Sequence, residues 1–96
     1  MTYEDRLNAL EAGRILQSSV FLRAFDALDA RYVQAWRASS DATKREDWWL
    51  MQRALAEVKK ELFEILQCAA VKEHGKDETL NAAVKAVKEK RNARKS

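Results

Sequence analysis

The stretch TKREDWWLMQRALAEVKKELFEILQCAAVKEH, residues 43–74, decides the fold. Within it Trp48, Met51, Leu55, Val58, Leu62, Ile65 and Ala69 follow one another at alternating spacings of three and four. This is a heptad seam, the pattern of a long helix whose apolar stripe lies against another helix. At 1.5 Å per residue the helix is roughly 45 Å long. A second stripe, Trp49, Ala56, Phe63 and Ala70, recurs every seven residues. It lies about 100° round the helix, with Leu66 between the two stripes. One partner helix uses up one stripe, so the second is expected to meet a third helix or a sister subunit, through Trp49, Phe63 and Leu66.

Working upstream, Phe21, Phe25, Leu28, Tyr32 and Trp36 form another amphipathic face, widened by Leu22 and Val33. Tyr32 and Trp36 each carry one polar atom, which places them at the edge of a core. Between the two patterns, residues 38–42 are Ala-Ser-Ser-Asp-Ala, a short loop followed by Thr43-x-x-Glu46, a capping-box pattern. A loop this short between two amphipathic helices predicts an antiparallel hairpin of about residues 20–38 and 43–74. Its expected core is Phe21, Phe25, Leu28, Tyr32, Trp36, Trp48, Met51, Leu55, Val58, Leu62 and Ile65. Trp36 and Trp48 are expected close together at the loop end.

At the N-terminus, Thr2 with Asp5 reads as a helix cap, and Leu7, Leu10, Ile15 and Leu16 supply a short apolar face. Gly13 weakens a helix interior, and Ser18-Ser19 offers a new cap, so a bend is expected within Gly13–Ser19. At the other end His74-Gly75 stops the long helix, with glycine suited to the left-handed residue after it. Asp77 can cap a short last helix through Leu80, Ala83, Val84 and Val87, which then frays into a basic tail. The expectation is an all-α chain: a hairpin domain over 1–75 with a short N-terminal helix, and a basic C-terminal helix or tail over 76–96.

Composition agrees. The 96 residues include no proline and two glycines, which leaves little to punctuate strands and turns. The net charge of +3 is unevenly placed: through residue 75 there are 11 Lys+Arg against 12 Asp+Glu, and over 76–96 there are 7 against 3. The basicity belongs to the C-terminal segment. No signal-peptide pattern opens the sequence, and no run reaches the ~20 apolar residues of a membrane span. A soluble cytoplasmic protein with no membrane partner is expected.

The residues that could carry chemistry are few. Cys68 is the only cysteine, which excludes an intramolecular disulfide and a cysteine-ligated zinc site. Near the end of the long helix it reads as a buried small hydrophobe. His74 reads as the complement to a helix C-terminus, since no partner at a recognisable spacing would orient it as a base. Glu57, Glu61 and Glu64 share one side of the helix but are interleaved with Arg53, Lys59 and Lys60. A solvated face of paired charges is expected there, with no metal, no cofactor and no enzyme activity. The C-terminal cations Lys85, Lys88, Lys90, Arg91, Arg94 and Lys95 either solubilise the chain or neutralise nucleic-acid phosphates, without base stacking, because no aromatic follows Phe63. Ala9-x-x-x-Gly13 matches the start of a helix-turn-helix, but Ser19 stands where an aliphatic residue is wanted.

Taken together, Ala12-Gly13-Arg14-Ile15-Leu16, Phe21 to Leu28, Tyr32 to Trp36, Arg45-Glu46-Asp47-Trp48-Trp49, Leu55 and Val58 resemble a group of small helical proteins of tailed bacteriophages and prophages. The resemblance spans residues 12–72. It implies a role in genome packaging or particle assembly. Small terminase subunits are the nearest assigned analogy, with a homo-oligomer, double-stranded DNA and a large terminase as implied partners, although the helix-turn-helix of that group is not evident here. A phage-encoded modulator that binds and inhibits a host protein is the alternative, and a stand-alone transcription factor is a third reading.

Overall fold

In the computed structural model the chain is all-α. The structure describes residues 1–95; the side chains of Arg94 and Lys95, and Ser96 altogether, lie outside the described residues. Four helices follow one another: α1 (Tyr3–Gln17), α2 (Ser19–Ala38), α3 (Ala42–Lys72) and α4 (Glu78–Lys95).

Each helix boundary has a local cause. Thr2 and Asp5 form a reciprocal capping box at the start of α1. Ser18 then ends α1 and starts α2. Its extended ψ of 123° breaks the helix, its N–H donates to the Ile15 carbonyl, and its hydroxyl accepts from the Phe21 N–H. The expected bend is therefore at Ser18. Gly13, by contrast, is buried in mid-helix, so a helix-turn-helix has no turn at that glycine. The cap of α3 is Asp41, whose carboxylate accepts from the Thr43 and Lys44 N–H groups. This supersedes the Thr43–Glu46 box: a helix that begins at Ala42 has Thr43 inside its first turn.

The end of α3 also differs in detail from the sequence reading. His74, not Gly75, takes the first left-handed position, with φ 56°, and Gly75 follows at 70°. The Gly75 N–H reaches back to the Ala70 carbonyl and the His74 N–H to that of Val71, the bond pair of a Schellman turn. Asp77 caps α4 through one oxygen, bonded by the Thr79 and Leu80 N–H groups, and accepts Arg6 Nε at 2.8 Å on the other. One carboxylate thus ties the first turn of α1 to the first turn of α4. The Arg6 guanidinium, followed by the Leu80 N–H, holds the Asp77 carboxyl below its ordinary value.

α2 and α3 form the antiparallel hairpin. α1 also packs on α3, but meets α2 only near Ser18, so α1 and α2 lie end to end as a broken rod along α3. Among the described residues the fourth helix packs chiefly on α1 and α3, and its far part reaches the start of α2, where Lys90 and Ala93 share a hollow with Ser19, Leu22 and Arg23. The molecule is elongated, 52 × 25 × 18 Å, with a radius of gyration of 16.2 Å, against about 12–13 Å for a compact chain of this length. One end holds three helices and the other two.

The core sits at the three-helix end. Ala9, Leu16, Leu66, Ala69, Ala70, Leu80 and Val87 form one buried cluster, with Leu66 and Leu80 wholly enclosed. The C-terminal segment is accordingly no short, loosely docked tail: it is helical to Lys95 and supplies Leu80 and Val87 to the common core. Gly13 lies at this close approach: a Cβ there would stand 3.4 Å from both Ala83 Cβ and Leu66 Cδ2, in ordinary contact, so there is room for a methyl group and little more.

The seam on α3 is rotated from the expected one. Residues facing the neighbouring helices are Trp48, Gln52, Leu55, Lys59, Leu62, Leu66 and Ala69, all buried or half-buried. Trp48, Leu55, Leu62 and Ala69 belong to both patterns. Met51, Val58 and Ile65, expected in the hairpin core, remain 46%, 50% and 41% exposed. Docking of α4 draws Leu66 and Ala70 inward, which turns the Met51–Val58–Ile65 edge out to solvent. The other expected hairpin residues, Phe21, Phe25, Leu28, Tyr32 and Trp36, are half-buried. Tyr32 stacks on Trp48 at 5.9 Å between ring centroids, while Trp36 lies under the Arg45 guanidinium.

Candidate functional site

All four helices converge where α4 crosses the α1–α2 break. Leu16 and Leu22 come from either side of Ser18, Ala56 and Phe63 from the middle of α3, and Val87 from α4. Together they floor an open depression of ≈ 270 Å³ whose remaining lining is Lys59, Lys60, Lys90 and Arg91. A neighbouring hollow shares Leu22 and Lys90 and adds Arg23. Five cations therefore surround an apolar floor, and among the described residues no carboxylate lines either hollow.

Three of these cations, Lys59, Lys90 and Arg91, are held in place by the fold. Lys90 Nζ donates to the Gln17 carbonyl at 2.7 Å, across the end of α1, where the helix dipole favours positive charge. The Arg91 guanidinium lies 5.4 Å from the Phe63 ring centroid, and Lys59 Nζ lies 4.9 Å from that of Phe25. Such cation–π contacts orient long side chains that otherwise sample many rotamers, and so reduce the entropy lost when an anion binds. Farther up the same side of α3, Arg53 covers Trp49 at 5.1 Å. The site can attract anions and offer them an apolar surface.

The basic residues expected from sequence divide into groups. Lys90 and Arg91 reach the junction, whereas Lys85 and Lys88 are exposed elsewhere on α4. The Arg94 and Lys95 side chains lie outside the described residues. Arg23, Lys59 and Lys60 had no place in the sequence-derived set. Lys59 and Lys60 sit among Glu57, Glu61 and Glu64 in sequence, which made a neutral charged face the natural reading. Those carboxylates are exposed on α3 and none lines the junction. No signal in the local sequence reports that α4 docks beside these lysines.

The expected contact stripe separates as well. Leu66 is wholly buried inside the chain and has no surface to give a partner. Phe63 is half-buried against the core beneath Arg91, and Trp49 is 45% exposed beneath Arg53. The third helix of the same chain covers part of this stripe, as one of the two sequence expectations allowed.

Cys68 is exposed, contrary to its expected burial, because it lies on the side of α3 turned away from α4. His74 is exposed at the end of α3. Among the described residues no group of three His, Cys, Asp or Glu could hold a metal ion, and no helix is long and apolar enough to cross a membrane. Comparison of the chain with protein-family models, curated proteins and solved structures finds no match.

Proposed function

We propose that this chain is a non-enzymatic, oligomeric phage protein of DNA packaging or particle assembly, working in the cytoplasm of a bacterial host. In this reading it grips the DNA backbone through the basic junction, and a large terminase or another phage protein completes the assembly. The observation that carries the reading is the convergence of Arg23, Lys59, Lys60, Lys90 and Arg91 from three helices, with no carboxylate among the described residues that line the site. Phosphate contact of this kind positions a protein without reading sequence.

The test is binding to duplex DNA over a range of salt. If four of the cations neutralise phosphates, log affinity falls against log salt with a slope of about −3 to −4. Replacing Lys59, Lys60, Lys90 and Arg91 by glutamine should flatten that slope and abolish binding at moderate salt. Binding that is absent, or insensitive to salt, overturns the DNA reading.

A second reading, the phage-encoded modulator, is favoured by the apolar floor itself. Phe63, Leu22 and Val87 give a phosphate backbone nothing to bind, but they suit the apolar side of an acidic amphipathic segment of a host protein. In that case the glutamine variant loses a stoichiometric protein partner rather than DNA.

A further inference from the structure

The unburied edge of α3 is heptad-spaced in its own right. Lys44, Met51, Val58, Ile65 and Lys72 occupy one position every seven residues, and Asp47, Ala54, Glu61 and Cys68 occupy the position three later. All nine are exposed. This is the a/d pattern of a two-helix seam, lying nearly half a turn round α3 from Lys60 and the basic junction.

We infer that this edge pairs with the same edge of a second copy, the two α3 helices running antiparallel about a two-fold axis between Lys59 and Lys60. The inference deepens the oligomeric part of the proposed function and does not depend on DNA binding.

Charge selects the direction. Parallel pairing sets Asp47 against Asp47, Glu61 against Glu61, and Lys72 against Lys72. Antiparallel a-to-d pairing instead sets Asp47 against the partner's Lys72 at both ends of the seam. Size agrees with charge: Met51 meets the partner's Cys68, and Ala54 meets the partner's Ile65, large against small. At the centre Val58 lies under the aliphatic stem of the partner's Glu61, whose carboxylate reaches outward. The flank is complementary too. A groove between α1 and α3 carries Asp5 and Glu11 along its α1 side, and the antiparallel register brings the partner's Lys44 towards the Asp5 end.

Surface area supports a second copy. The chain exposes 6985 Å², whereas a folded monomer of 11.1 kDa is expected to expose about 5,700 Å². The excess of about 1,300 Å² exceeds the ~800 Å² per partner of a standard interface.

The register makes a specific covalent prediction. In the full-length Met51→Cys variant, residue 51 faces the native Cys68 of the other copy, so diamide oxidation should convert the protein to a disulfide-linked dimer. Wild-type protein, whose two Cys68 thiols stand about 25 Å apart along the seam, should not cross-link under the same conditions. Val58→Lys, at an exposed position, should halve the mass measured by sedimentation while helicity is unchanged.

A wild-type monomer at micromolar concentration overturns both this pairing and the oligomeric reading. A wild-type oligomer that survives Val58→Lys, or in which Met51→Cys fails to cross-link, overturns the pairing alone. Cross-linking of wild-type Cys68 to Cys68 also overturns it, in favour of a parallel arrangement.

Discussion

The two ends of the molecule differ in the opposite sense from their side chains. The two-helix end carries the bulk: Phe25, Leu28, Tyr32, Trp36 and Trp48, every one of them only half-buried. The three-helix end is built largely from Ala9, Ala12, Gly13, Ala69, Ala70 and a few aliphatics, yet it holds nearly all the buried residues described, Leu22 at the junction being the exception. Burial here follows the number of neighbouring helices, not the size of the apolar group. A hairpin leaves each helix one covered side, and a third helix encloses what lies between. At the thin end Arg45, Arg53 and Lys59 lie over the rings of Trp36, Trp49 and Phe25, so cations supply part of the cover that a helix supplies elsewhere.

The largest test of this contrast is a matched truncation. Leu66→Ala removes a wholly enclosed side chain, and urea denaturation should show a loss of about 3–4 kcal/mol. Leu28→Ala, in the half-buried face of α2, should cost about 1–2 kcal/mol, because part of its surface is already wet. Equal losses would mean that the ends are equally enclosed. Amide exchange gives the same comparison without mutation: Leu66, Ala69 and Ala70 should exchange only through global unfolding, and Leu50 to Ala54 through faster local opening.

Acid should act first on the three-helix end. Asp77 has its folded pKa depressed by Arg6 and by the α4 backbone. Its contribution is therefore complete above the ordinary aspartate value and disappears as pH falls through the lower folded one. Stability should decline below about pH 4, with α4 loosening from α1 before the hairpin opens. Asp77→Asn should abolish that part of the acid dependence and lower stability at neutral pH. Thermal melts followed from pH 7 to pH 2 would read both effects.

How much of this was legible in the sequence also divides between the ends. The α2–α3 hairpin, its short loop and the bend near Ser18 follow from spacing and capping chemistry alone, since they depend on nearby residues. The choice of seam on α3 does not. The series Trp48, Met51, Leu55, Val58, Leu62, Ile65 and Ala69 is uniformly apolar, whereas the seam in the fold runs through Gln52 and Lys59. Apolarity favoured the wrong edge; what turned the helix was α4 drawing Leu66 and Ala70 inward, a contact between distant segments. The basic junction was hidden for the same reason, since Lys59 and Lys90 become neighbours only once α4 has docked.

Gly13 tests how closely α1 and α4 approach at the thick end. A methyl group there would meet Ala83 and Leu66 at 3.4 Å, an ordinary contact distance. Gly13→Ala should therefore recover helix propensity and stabilise by about 0.5–1 kcal/mol. Gly13→Leu cannot fit and should destabilise by about 1–3 kcal/mol through overpacking. Stabilisation by both would show that α4 sits farther from α1 than the structure places it.

The smallest effect expected is at the turns. His74 is the one non-glycine residue with positive φ among those described, and it lies in the turn that brings α4 back to make the third helix. A side chain in the left-handed region costs about 1 kcal/mol, a penalty that glycine escapes while losing more chain entropy on folding. His74→Gly should therefore stabilise by a few tenths of a kcal/mol, up to about 0.5. The same change in the α2–α3 loop, Ser40→Gly, has no positive φ to relieve and should cost a few tenths of a kcal/mol through added freedom of the unfolded chain. Opposite signs for one chemical substitution, measured by paired urea melts, would locate the backbone strain at the turn that builds the thick end.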